Sequence, residues 1–260
     1  MVKLGKKQQS RNEDFVYVWQ NIESVISKKS IDNLVDKTVA LVKSTVSPYK
    51  RPAFGWSGGK DSQALIGIMR LCEIEGCLMG MSDLEYPEFL QWVTDNMPDD
   101  LEIFNNTSLN IHWLANNPQM LFPQNSAIAS KWFKLIQHRA QKLYCKKHNT
   151  DILILGRRKI DGNYMGKDGS GLYFNADKNL VFCPIKDWSH EDVLGFCHYY
   201  GYPLAPIYNW VNGYIVGTGA WPARQYTRNT YQGWKEVCSI DPSIIRVASK
   251  YFPEAKQFLG

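Results

Sequence analysis

Within the string Phe54-Gly55-Trp56-Ser57-Gly58-Gly59-Lys60-Asp61-Ser62, six consecutive residues hold two glycines, two hydroxyls, one ammonium and one carboxylate. That set suits an oxyanion. Gly58 and Gly59 have no Cβ, so their N–H groups can approach an anion closely. A helix beginning near Lys60 adds unpaired N–H groups and the positive end of its dipole. Ser57 and Ser62 supply hydroxyls, and Lys60 supplies a charge for a phosphate or pyrophosphate. Asp61 either braces the loop or helps hold magnesium with the phosphates. The string is neither G-x-x-x-x-G-K-[ST] nor G-x-G-x-x-G. It reads as a different phosphate cradle, set at a strand-to-helix junction.

Other candidates also follow apolar runs. Asp151 to Leu155 is the clearest buried strand, and Gly156-Arg157-Arg158 comes directly after it. Guanidinium groups there could clamp phosphate or sulfate in bidentate fashion. Ser82 and Asp83 follow the short strand Cys77 to Met81, where they could read the adenine or ribose edge or cap the next helix. His190 has no metal-ligand partner at suitable spacing and reads as a surface residue. The six cysteines form no C-x-x-C pair, so the spacing predicts reduced thiols and no zinc site. Lys131, Lys134, His138, Arg139, Lys142, Lys146 and Lys147 fall at helical spacing and read as a solvated face, with nucleic acid possible but not favoured.

The elements that would position these residues alternate. Two helices are expected between Asp14 and Ser47, broken around Lys28 to Ser30, after a polar start over residues 1–12 that reads as frayed. Strands at 53–56, 77–81, 101–104 and 151–155 alternate with helices at 61–76, 88–96, 111–115 and 130–148. That order predicts a parallel sheet covered by helices on both faces. A strand at 181–185 and a helix at 189–200, with Ser189 as its N-cap, continue the pattern. Residues 203–226 read as irregular, and short helices are expected at 241–250 and 253–259. A chain of 260 residues with formal charge +5 is long enough for a large core and only mildly basic. It has no apolar window long enough to span a membrane and no signal-like start, so a cytoplasmic protein is expected.

The Ser57–Ser62 string resembles the signature of the PP-loop ATP pyrophosphatases, also called adenine nucleotide α-hydrolase-like proteins. Within that class the chain is similar to the phosphoadenosine phosphosulfate reductase family, which also contains the small catalytic subunit of bacterial ATP sulfurylase. Asp83-Leu84-Glu85-Tyr86-Pro87-Glu88 resembles that family's aspartate and Phe-Pro-Glu-Thr-like segment. Leu155-Gly156-Arg157-Arg158 resembles its Gly-x-Arg segment. The run from Cys183-Pro184-Ile185 through Trp188-Ser189 to Asp192-Val193 resembles its Pro-Ile-x-x-Trp-(Thr/Ser)-x-x-Asp-Val stretch. Pro203-Leu204-Ala205-Pro206-Ile207-Tyr208 loosely matches Leu-Pro-x-x-Pro-Leu-Tyr.

The likeness covers residues 50–225, leaving an N-terminal helical extension over 1–49 and a C-terminal helical tail over 226–260. It implies an α/β, Rossmann-like, doubly wound parallel sheet with an adenine nucleotide outside the carboxyl ends of the strands. It implies ATP with magnesium as ligands, Lys60, Arg157 and Arg158 as catalytic groups, and a nucleotide site that adds Arg224, in a glycine-rich segment. Thiol-dependent relatives carry a cysteine in a C-terminal Glu-Cys-Gly-Leu-His-like motif and some hold an iron–sulfur cluster. Here no cysteine follows Cys238 and the cluster's paired cysteines are missing, so neither a cluster nor direct reduction is expected. The reading is ATP cleavage with adenylylation of an unknown acceptor. A sulfonucleotide reductase using Cys238 or a partner's thiol, and a non-catalytic nucleotide-binding module within a complex or homo-oligomer, are the alternatives.

Overall fold

The computed structural model describes residues 4–5, 9–224 and 229–259. The rest of the polar start, and the border expected between 225 and 226, lie outside the described residues. Helices α1 (Asn12–Gln20), α2 (Ile22–Val25) and α3 (Lys28–Val46) precede the sheet. The break falls at Ile26-Ser27, earlier than the spacing suggested, because the Ser27 side chain accepts from Ser30 N and starts α3 there. Then come β1 (Pro52–Gly55), α4 (Lys60–Leu71), β2 (Cys77–Ser82), α5 (Pro87–Asn96), β3 (Leu101–Asn106) and α6 (Ile111–Ala115). Helices α7 (Ser126–Phe133) and α8 (Arg139–His148) are joined by a π-helical turn, Lys134–His138, and lead into β4 (Ile152–Ile154). The hairpin β5 (Leu172–Phe174) and β6 (Leu180–Phe182) precedes α9 (His190–Tyr199). Helices α10 (Gly213–Val216), α11 (Thr230–Ile240) and α12 (Pro242–Ala248) follow.

The six strands lie in the order β3-β2-β1-β4-β6-β5. β1 is parallel to both β2 and β4, β4 is parallel to β6, and β5 returns antiparallel to β6. The chain therefore leaves β1 toward β2 on one side and comes back to β4 on the other. A crevice opens outside the carboxyl ends of two such strands, because their connections depart in opposite directions. The loop after β1 and the Gly156-Arg157-Arg158 segment after β4 both start at this switch point.

Two compact units arise, each discontinuous in sequence. The first contains the described residues up to Met79, Met97–Glu102 and Gln141–Ala205. Its core joins Ile31, Val35 and Val42 of α3, Leu65, Ile68 and Met69 of α4, and Val193, Leu194 and Phe196 of α9. Trp188 is buried and donates from Nε1 to Thr38 Oγ1 at 3.1 Å, which ties the entry of α9 to α3. Leu4, expected to fray, is buried, and its N–H donates to Glu191 Oε1 at 2.7 Å. The second unit contains Gly80–Asn96, Ile103–Ala140 and the described residues from Pro206 onward. It is centred on Trp234, whose ring lies 5.1 Å from Phe122, 5.8 Å from Trp221 and 5.6 Å from Phe252. Among the described residues no helix is long and apolar enough to cross a membrane.

Candidate functional site

The loop after β1 has the shape its glycines suggested. Gly58 takes φ +68°, a left-handed conformation that L side chains rarely adopt, and Gly59, extended at φ −75° and ψ 154°, caps α4. The two serines brace the loop. Ser62 Oγ donates to Gly59 O at 2.8 Å and accepts from Ser57 N at 3.1 Å and from Ser57 Oγ at 3.3 Å. Since Ser62 spends its proton on Gly59, Ser57 is the donor between the hydroxyls. Lys60 is only 4% exposed, and its Nζ donates to Asp61 Oδ1 at 2.9 Å and Oδ2 at 3.0 Å. Burial lowers the Lys60 ammonium from its usual range, against the pull of Asp61.

Gly156 is where β4 meets this loop. A Cβ there would lie 3.0 Å from the carbonyl oxygen of Asp61, so glycine lets the first turn of α4 press against the strand end. Arg157 is half-buried and donates from Nη1 to Tyr173 Oη at 2.9 Å, bringing the β5–β6 hairpin to its guanidinium. Arg158 departs from the anion-clamp reading. Its side chain is 0% exposed: Nε lies 2.9 Å from Asp61 Oδ1, off the hydrogen-bond line, and Nη2 lies 3.0 Å from Asp161 Oδ2. Nη1 donates to Ser189 O at 2.8 Å and Trp188 O at 3.3 Å, while Nη2 contacts His190 Nδ1 at 2.9 Å. His190, expected at the surface, is fully buried at the start of α9, with the Phe15 ring edge-on at 4.8 Å. The sequence carried no signal for this partnership beyond the capping pattern that starts α9.

Both Asp61 oxygens are engaged by ammonium or guanidinium, which does not fit a carboxylate free to ligate magnesium. Among the described residues no group of three His, Cys, Asp or Glu side chains could hold a metal ion. Burial pushes the thiols of Cys72, Cys77, Cys145, Cys183 and Cys197 up, Cys183 to about 11. Cys238 is half-buried on α11, with Sγ 3.6 Å from Phe258 O.

The remaining sequence candidates lie in the second unit. Ser82 closes β2 and is buried; its N–H and hydroxyl lie 3.3 and 3.1 Å from Glu85 Oε1, and its Oγ accepts from Leu84 N. Asp83 is exposed, and its Oδ1 accepts from Asn105 at 2.8 Å. Sequence reasoning missed Glu85: burial pushes its carboxyl up to about 7, against two stabilising bonds from Ser82. Arg224 also departs from its expected place at a ligand. It is 2% exposed, its Nη2 lies 3.1 Å from Glu236 Oε2, itself 3% exposed, and the same nitrogen donates to Val211 O at 2.7 Å. An internal ion pair of this kind holds the segment before α11.

One solved structure in particular shares this architecture. The solved structure of phosphoadenylyl-sulfate reductase from Candida auris, a phosphate complex, superposes with a TM-score of 0.53 and 11% identity, over 75% of this chain and 96% of its own. NMN synthetase from Francisella tularensis superposes with a TM-score of 0.47 and 12% identity, over 88% of this chain and 96% of its own. At these identities the first likeness speaks for the fold. A comparison with curated protein sequences finds no match. The model of the phosphoadenosine phosphosulfate reductase domain matches residues 51–215, more than half of the chain, with the loop, the switch point and the segment after β4 inside it. By that match the chain belongs to the phosphoadenosine phosphosulfate reductase domain family, within the PP-loop class.

Proposed function

We propose that this protein binds ATP on the Ser57–Ser62 loop and transfers its adenylyl group to an acceptor oxyanion. The observation that carries the reading is Lys60, a buried ammonium at the N-terminus of α4, beside a loop whose serines already hold its shape. An acceptor oxygen attacks the α-phosphorus, the bond from that phosphorus to the α–β bridging oxygen breaks, and pyrophosphate leaves with the electron pair. Lys60 and the N–H groups of Gly58 and Gly59 stabilise the charge growing on the leaving group. Arg157, on the segment after β4, is the guanidinium suited to the α-phosphate or the acceptor.

The cysteines favour adenylyl transfer over reduction. A thiolate is the attacking species in sulfonucleotide reduction, and burial disfavours the thiolates of Cys72, Cys77, Cys145, Cys183 and Cys197. The test is calorimetric titration of wild type and Lys60→Ala with magnesium ATP, adenylyl sulfate and phosphoadenosine phosphosulfate. ATP should bind most tightly to the wild type and lose at least about tenfold in affinity in Lys60→Ala, the effect of one charge-assisted hydrogen bond. Tighter binding of the sulfonucleotide, with sulfite release, would overturn the assignment.

A further inference from the structure

We propose that Arg158, Asp161 and His190 are positioning residues that hold Asp61 in place so that Lys60 can pass from its carboxylate to the phosphate of the nucleotide. This inference rests on the ATP reading given above. Lys60 Nζ bonds both oxygens of Asp61, and an arriving phosphate competes for that same ammonium. Once Lys60 turns away, Asp61 needs another cation, because a partly buried carboxylate left alone is costly. Arg158 Nε, 2.9 Å from Asp61 Oδ1, is that cation.

Arg158 cannot itself follow the phosphate. A guanidinium has five N–H groups, and Asp61, Asp161, His190 Nδ1 and the carbonyls of Trp188 and Ser189 surround its three nitrogens within 3.3 Å. The contact with His190 also fixes that ring's state. Arg158 Nη2 brings only protons, so His190 Nδ1 is the acceptor and the ring's own proton sits on Nε2. A neutral His190 completes the set without adding charge. Lys60 and Arg158 then balance Asp61 and Asp161 before any ligand arrives, and Lys60 is exchanged between two anions with its surroundings unchanged. A plain structural anchor joining β4 to α9 would use the same two carbonyls, but it would have no need of Asp61 at the far side of the guanidinium.

The experiment measures the Kd of magnesium ATP by calorimetry on the full chain, with thermal melting to establish that each variant is folded. Arg158→Lys keeps the charge and loses the fork; His190→Leu removes the acceptor; His190→Asn replaces it with a side-chain carbonyl. Arg158→Lys and His190→Leu should weaken ATP binding by about tenfold or more, and His190→Asn should stay within about threefold of wild type. In a Lys60→Ala background Arg158→Lys should add no further loss, since there is no ammonium left to hand over. If His190→Leu does not fold, Asp161→Asn reads the same link with little change of volume. Folded Arg158→Lys and Asp161→Asn proteins that bind ATP as the wild type does, while Lys60→Ala does not, would overturn this inference and leave the ATP reading standing. A wild type that binds no ATP would instead overturn the reading beneath it.

Discussion

At the scale of single residues, burial decides what a charged group can do. Lys60 and Arg158 are both cations, yet Lys60 donates to the Asp61 carboxylate while Arg158 is surrounded by acceptors. Glu85 shows the same rule through its proton. Its carboxyl rises from 4.5 to about 7, so the folded state keeps a proton that the unfolded chain gives up near pH 4.5. The stability associated with that proton is full below pH 4.5 and is lost as pH rises through 7, amounting to about 3 kcal/mol. Glu85→Gln should remove this slope, and urea denaturation at pH 5 and pH 8 compares it with wild type. Gly156→Ala tests close approach: a Cβ 3.0 Å from Asp61 O should push the first turn of α4 away and weaken ATP binding about tenfold in the same titration. The loop and the Arg157-Arg158 pair were legible because glycines and charges cluster at a strand end. Glu85, Asp161 and His190 were not, since burial depends on what packs around a residue and no spacing records it.

At the scale of elements, local signals set the boundaries and packing set the exceptions. Ser189 accepts from Asp192 N while Asp192 accepts from Ser189 N, the reciprocal cap that places His190 at the start of α9. Ser189→Ala should cost about 1 kcal/mol in urea denaturation, and Ser189 O would still be present to accept from Arg158. β1, β2, β4 and the helices between them lie close to where periodicity set them. The helical tail expected over 226–260 carried no separate element at Thr230–Ile240, and this segment forms α11. Gly233 in its middle argues against a helix, but the position has a packing reason: a Cβ there would fall 2.3 Å from the Phe122 ring. Gly233→Ala should therefore destabilise by about 1–3 kcal/mol although alanine is the better helix former, and a thermal melt reads the sign.

At the scale of the whole molecule, the sheet order sets β1 beside β4, and the ATP reading proposes the nucleotide outside their carboxyl ends. Binding there is linked to folding. ATP at about one hundred times its Kd should stabilise the native state by about 2.7 kcal/mol, a rise in Tm of several degrees for a chain of this size. The shift should vanish in Lys60→Ala, as differential scanning calorimetry with and without ATP would show.

By itself the sequence determined the class of fold, the family and the glycine-rich loop between β1 and α4. These rest on short-range features: glycines where the backbone must turn, apolar periods of two or near four, and caps within a few residues of the helices they start. Only the tertiary structure decided which polar groups are buried against each other. Arg158 and His190 are 32 positions apart, and Arg158 and Asp61 almost a hundred. Whether such groups meet depends on the return of the chain from β3 to β4 beside β1, a long-range choice made by burying apolar surface, which leaves no mark in the spacing of the residues it joins.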